Sequence, residues 1–247
     1  ISTLPGDKAT RGYNLLHGCF AVGALLSPLL LIFCAGRWPG LGWRIMAGLL
    51  CLLCISQLVV YAKMPLPPEY AKKSITSVDL RFFKVKQFWL GAAMLFFYIS
   101  TEYAIVGWLV TYFQDIGVLD PNQSQMMNSL LWLVIFLGRM VGAVITGKLS
   151  RSKLLLLDGV GLFSFFLVMF FSRTPAPIIL GLVGVGFFMA TIYPTAFAFG
   201  SDCIRGNDLG CSVMIFTGSA GGILTPAMVG FVAERAGIRA GMGLIVV

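Results

Sequence analysis

Charge is what this sequence has least of. Only 11% of its 247 residues are Asp, Glu, Lys or Arg, while 58% are hydrophobic. A soluble domain carries roughly a quarter charged residues, so a water-soluble globular fold is excluded. Histidine is nearly absent too, with a single residue, His17. A Ser-His-Asp triad or a histidine-rich metal site would have to be built without its usual side chain. No Walker loop, G-x-S-x-G or HExxH is present, and no enzyme class is indicated. Six cysteines are scattered along the chain. Of these, only Cys51-Leu-Leu-Cys54 has metal-like spacing; it lies inside an apolar run without a second pair, and reads as small apolar filler. Alternating strand patterns are missing, which argues against a β-barrel. No lysine stands in the middle of an apolar run, since Lys148 and Lys153 fall at run ends, which argues against a retinal-type seven-helix receptor.

What the sequence does have is apolar blocks of about 20 residues, each long enough to cross a ~30 Å hydrocarbon layer as a helix. They fall at roughly 13–35, 43–62, 87–113, 125–147, 154–172, 177–200 and 210–232, and an eighth begins near Arg239. The expected fold class is an all-α membrane protein, a helical bundle of about seven complete spans plus a truncated eighth. The chain opens on Ile1 and reads as a piece of a longer protein. Residues 63–86, KMPLPPEYAKKSITSVDLRFFKVK, hold three prolines and six basic residues and read as a linker ending in an interfacial helix. The domain reading is 1–62, the last two helices of one bundle; 63–86, the linker; and 87–247, a second bundle, cut short.

The net charge of +8 suggests a membrane orientation rather than a nucleic-acid partner. Residues 1–12, 63–86, 148–153 and 203–209 hold twelve of the eighteen Lys and Arg, in alternate loops. The positive-inside rule makes these loops cytoplasmic. Loop 114–124, with neither Lys nor Arg, belongs on the other side.

The spans after the linker carry an internal echo. IFLGRMVG at 135–142 answers IFTGSAGG at 215–222. Three-plus-three repeats of opposite orientation are a device of secondary transporters. Gly138-x-x-x-Gly142 and Gly218-x-x-x-Gly222 fit close helix approach. Pro28, Pro194 and Pro226 lie inside spans, where they bend helices and free carbonyls.

Two further segments carry a resemblance: RGYNLLHGCFAVGALLSPLL at 11–30 and GVGFFMATIYPTAFAFGSD at 184–202. They resemble the fifth and tenth helices of fucose-permease-like sugar transporters of the major facilitator superfamily. Residues 212–235 look like the eleventh. The chain then corresponds to the fifth helix through the start of the twelfth. The resemblance implies alternating access, a sugar or other small hydroxylated solute, a proton gradient as energy source, a monomer when full length and a bacterial inner membrane; no cofactor is expected, and the placing of Lys and Arg in alternate loops argues against a nucleic-acid partner. It also favours Asn14 as a cavity residue. One departure stands out: the superfamily's loop motif, Gly-x-x-x-Asp-Arg-x-Gly-Arg-Arg, meets GAVITGKLSRSK at 142–153, which lacks the Asp. A charge-relay gate is therefore not carried over to this loop.

Polar residues inside the spans are the candidate site. An ionised acid at mid-bilayer costs about 2.5–3.5 kcal/mol on insertion scales, so it faces a cavity or a partner. Glu102 is such an acid. A helical wheel groups it with Tyr98, Thr101, Ile105, Trp108, Leu109 and Tyr112. Glu102 can bind substrate hydroxyls, carry a proton, or pair with Arg139 in the next span. Asn14 and His17 share one face of the first span, and His17 suits proton handling. Tyr193, beside Pro194 and flanked by Thr191 and Thr195, forms a second polar-aromatic patch. Thr217 and Thr225 rank below, and Gln57 and Asn128 are further cavity candidates. An exporter of drugs or metabolites with the same fold is the main alternative, because Trp108, Tyr98 and the many Phe residues suit a greasy ligand. A non-transporting membrane protein is a remote one.

Overall fold

A computed structural model describes the backbone of residues 6–64, 80–145, 149–204 and 207–246, and the side chains of those residues from Cys19 onward. The described backbone is helical. Two long helices come first, α1 (Gly6–Arg37) and α2 (Gly42–Lys63). Five more follow: α3 (Lys86–Asp115), α4 (Pro121–Ile145), α5 (Arg151–Phe171), α6 (Pro175–Ser201) and α7 (Asp208–Ala236). A short α8 (Ile238–Gly243) is the last described helix. Seven of these helices are long and apolar enough to cross a membrane. The apolar blocks foretell all seven, with ends shifted by a few residues. The linker falls mostly on 65–79, outside the described residues; at its end a 3₁₀ turn, Arg81–Lys84, stands in place of an interfacial α-helix.

Local chemistry explains the boundaries. Asp120 and Gln123 form a reciprocal capping box ahead of α4: the Gln123 N–H donates to Asp120 Oδ1 at 2.8 Å, and the Asp120 N–H to Gln123 Oε1 at 3.2 Å. Pro121 takes the first helical position, where its missing N–H does no harm. Asn207 caps α7 by accepting from the Gly210 N–H at 3.0 Å. Gly237, at φ +84°, turns the chain from α7 into α8. In the α1–α2 turn, the guanidiniums of Arg37 and Arg44 lie over the rings of Trp38 and Trp43. That aromatic-cation mixture suits the headgroup level of a bilayer.

Lipid is as apolar as leucine, so these helices associate through close packing rather than water exclusion. Glycine supplies the closeness. Gly161 receives the Phe188 ring and Gly184 the Phe165 ring, seating α5 against α6. The two rings then stack at 5.8 Å. Gly91 of α3 and Gly200 of α6 meet backbone to backbone. The side chains on outer faces are large and apolar, among them Leu58, Phe97, Phe216 and Ile223, as lipid contact requires.

The sequence echo has a structural counterpart. Gly138 of α4 packs on Phe187 and Ala190 of α6; Gly218 of α7 packs on Leu95 and Ile99 of α3. Thus α4 meets α6 as α7 meets α3, the arrangement of two related three-helix units.

Candidate functional site

The repeat puts equivalent residues around one space. Arg139 follows Gly138, and Ser219 follows Gly218. Both side chains face the same cavity of about 500 Å³. Its remaining wall comes from Ile99, Glu102, Tyr103, Val106 and Gly107 of α3, Trp132 of α4, Tyr193 of α6 and Ile215 of α7. Phe20 of α1 closes it from the side, its ring edge-on to Trp132 at 5.3 Å between centroids.

Two charges meet here. Glu102 and Arg139 are 9% and 6% exposed and lie on neighbouring helices within electrostatic reach of each other. The Tyr98 hydroxyl lies next to both groups and makes no hydrogen bond of standard geometry. The Tyr98 and Tyr193 rings stand 6.2 Å apart, and Tyr193 stacks in turn on Phe197. An acid, a guanidinium and a hydroxyl among aromatic rings can hydrogen-bond a polyhydroxylated ligand on one side and press flat rings against its C–H face on the other.

Four of the sequence candidates come together: Glu102, Arg139 and Tyr193 in the cavity wall, with Tyr98 beside the charges. The others do not join them. The wheel arc is rotated from the true wall, which uses Ile99, Tyr103, Val106 and Gly107 on the other side of Glu102. Trp108 turns from the cavity toward α7, donating its indole N–H to the Pro226 carbonyl at 3.0 Å. Thr217 donates back to the Val213 carbonyl of its own helix at 2.9 Å, a self-satisfied arrangement common in spans. Thr101 does the same with Phe97. Gln57 is exposed. Asn128 is half-buried one turn before Trp132, with an unpartnered Oδ1. Asn14 and His17 have side chains outside the described residues.

Phe20, Trp132, Tyr103 and Ser219 also line the cavity, and nothing in their local sequence marks them. Asp158, a further buried acid, is marked in the sequence as a lone charge inside the apolar run of α5. Nor did the missing loop Asp leave Arg151 unpaired: Arg151, at the start of α5, forms an ion pair with Asp202 just past the end of α6.

Comparison with known proteins agrees with this architecture. The family model described as Major Facilitator Superfamily matches residues 1–226. A putative glucose/galactose transporter of Helicobacter pylori (strain J99) is 26% identical over 95% of this chain and 61% of its own length. An uncharacterised MFS-type transporter of Yersinia pestis is 22% identical over 93% of the chain and 59% of its own. The protein TsgA of Escherichia coli O1:K1 is 23% identical over 94% and 59%. The chain thus spans about three-fifths of the curated relatives it matches. Among solved structures, the crystal structure of the Escherichia coli fucose:proton symporter, FucP, superposes with a TM-score of 0.61 at 20% identity, over 84% of this chain and 51% of that one. That likeness establishes the fold. The family match takes in all the cavity helices, and the chain is a multi-pass membrane protein that belongs to the major facilitator superfamily of transporters.

Proposed function

We propose that the full-length protein is a secondary transporter of a small hydroxylated solute, a monosaccharide, in a bacterial inner membrane, driven by proton symport. Residues 1–62 would close one bundle, 63–86 link the bundles, and 87–247 form most of the second. The loops at 63–86, 148–153 and 203–209 would be cytoplasmic, and the protein would act as a monomer. The observation that carries this reading is the cavity where Glu102 and Arg139 face Tyr193, Trp132 and Phe20. Its volume falls within the range of about 300–1,000 Å³ typical of small-ligand sites. The names of the relatives, a putative glucose/galactose transporter and a fucose:proton symporter, support the substrate class and the coupling ion. In this reading Glu102 would exchange a proton as substrate binds, with Arg139 balancing its charge in the empty site.

The test is uptake of radiolabelled glucose, galactose and fucose by the full-length protein in proteoliposomes under an imposed proton gradient. Accumulation above equilibrium that an uncoupler abolishes supports the reading. If none of the sugars accumulates, the reading is wrong. Efflux of a lipophilic cation in the same vesicles would favour the exporter instead.

A further inference from the structure

Asp158 takes no part in the cavity, yet it is 5% exposed in the middle of a bundle. It stands seven residues after Arg151, about 10 Å along α5 at 1.5 Å per residue. An acid there is costly in a spanning helix and calls for a specific use. Its Oδ2 accepts a hydrogen bond from the Thr191 hydroxyl of α6. Among the described residues no charged side chain shares its surroundings, so Thr191 is its principal polar neighbour. On the far side of Thr191 lies Gly142 of α4, where any Cβ would run into the threonine methyl. Thr191 is therefore clamped between its hydrogen bond to α5 and a bare stretch of α4 backbone.

Tyr193 lies two residues on, about 200° around the helix at 3.6 residues per turn. It points away from Asp158 and into the cavity. Pro194 follows, with no N–H for the Ala190 carbonyl, so α6 supports itself least at this point. What holds the back of α6 here sets the direction of its front. We propose that Asp158 is a positioning residue: through Thr191 it fixes the rotation of α6 beside Pro194 that keeps Tyr193 in the wall of the Glu102 cavity.

The transport consequence rests on the function proposed above; the geometric one does not, and the experiment separates them. In the full-length protein with its native cysteines replaced, Tyr193→Cys is labelled with a membrane-impermeant thiol reagent in vesicles. Labelling is compared in four backgrounds: Asp158→Asn and Thr191→Ser, which keep the acceptor and the donor, and Asp158→Ala and Thr191→Val, which remove them. The first pair should label as the parent does. The second pair should each change the labelling rate, and the Asp158→Ala/Thr191→Val double variant should change it no further. With Tyr193 restored, the removing variants should raise the apparent KM for monosaccharide about tenfold, the worth of one buried charge-assisted hydrogen bond, with Vmax retained. If labelling is unchanged in Asp158→Ala, Asp158 does not position Tyr193. If Asp158→Asn abolishes accumulation while Thr191→Val leaves it intact, the acid acts by its charge and the proposal falls. If no sugar is transported even by the parent but the labelling pattern holds, the function reading fails and the positioning role stands.

Discussion

The meeting of Gly91 and Gly200 offers the sharpest test of how these helices are held. A Cβ at Gly91 would stand 2.6 Å from the Gly200 Cα and 3.0 Å from its nitrogen. Carbon atoms rest at about 3.5–4.0 Å, so Gly91→Ala obliges α3 and α6 to part by about 0.9 Å. Backbone cannot swing aside as a side chain can. Overpacking of this kind costs about 1–3 kcal/mol. In a domain of 150–250 residues a kilocalorie shifts the melting point by roughly 2–4 °C, and by less in a longer chain, so a fall of a few degrees is expected. The tie beside it, from the Gln87 amide to the Phe199 carbonyl at 2.7 Å, would stretch as well. Gly200→Ala should cost less, because its new methyl meets the Met214 Sδ at 2.5 Å and a flexible thioether can move, while Gly91 lies at 3.2 Å. Gly48→Ala, with nothing within 4 Å, should be neutral or stabilising by up to about 1 kcal/mol from helix propensity. Thermal denaturation of the detergent-solubilised full-length protein reads all three. A Gly91→Ala protein as stable as the parent, or an order with Gly200→Ala worse, would refute the close-packing argument.

Other expectations follow from the same structure. Glu102→Gln should keep membrane expression and sugar exchange but lose proton-driven accumulation; unchanged accumulation in vesicles would remove Glu102 from the coupling role. Trp108→Phe, which loses the bond to the Pro226 carbonyl, should lower stability by about 1 kcal/mol while leaving the sugar KM within twofold; a large rise in KM would return Trp108 to the binding site. Arg151→Ala breaks an ion pair whose side chains are 48% and 33% exposed, and should cost under about 1 kcal/mol in a melting assay, less at high salt.

Much of the fold is readable from the sequence because lipid imposes one strong rule: a spanning segment must be apolar and helical. The apolar blocks therefore foretell the helices, and the glycine echo foretells which of them press together. The site is less readable. The wheel singles out Glu102, but it gives an angle without saying which neighbour stands on either side. Tyr103 and Gly107 lie on one flank of the acid and Tyr98 and Trp108 on the other, and only the packing of α4 and α7 decides which flank is wall. Phe20 and Trp132 are invisible for another reason: among 20 Phe and 5 Trp, nothing local distinguishes a ring that lines a cavity from one that faces lipid.

Phe20 has one more implication. It is the cavity's contribution from α1, while every other wall residue comes from the helices after the linker. Its contact with Trp132 is one ring edge against another face, with no hydrogen bond between them. Such a contact resists sliding only weakly, since rings can shift over one another without breaking a directional bond. A solute lodged there would touch both sides of that joint. It would bridge α1 to the helices after the linker, adding contacts across that joint that are lost when it leaves.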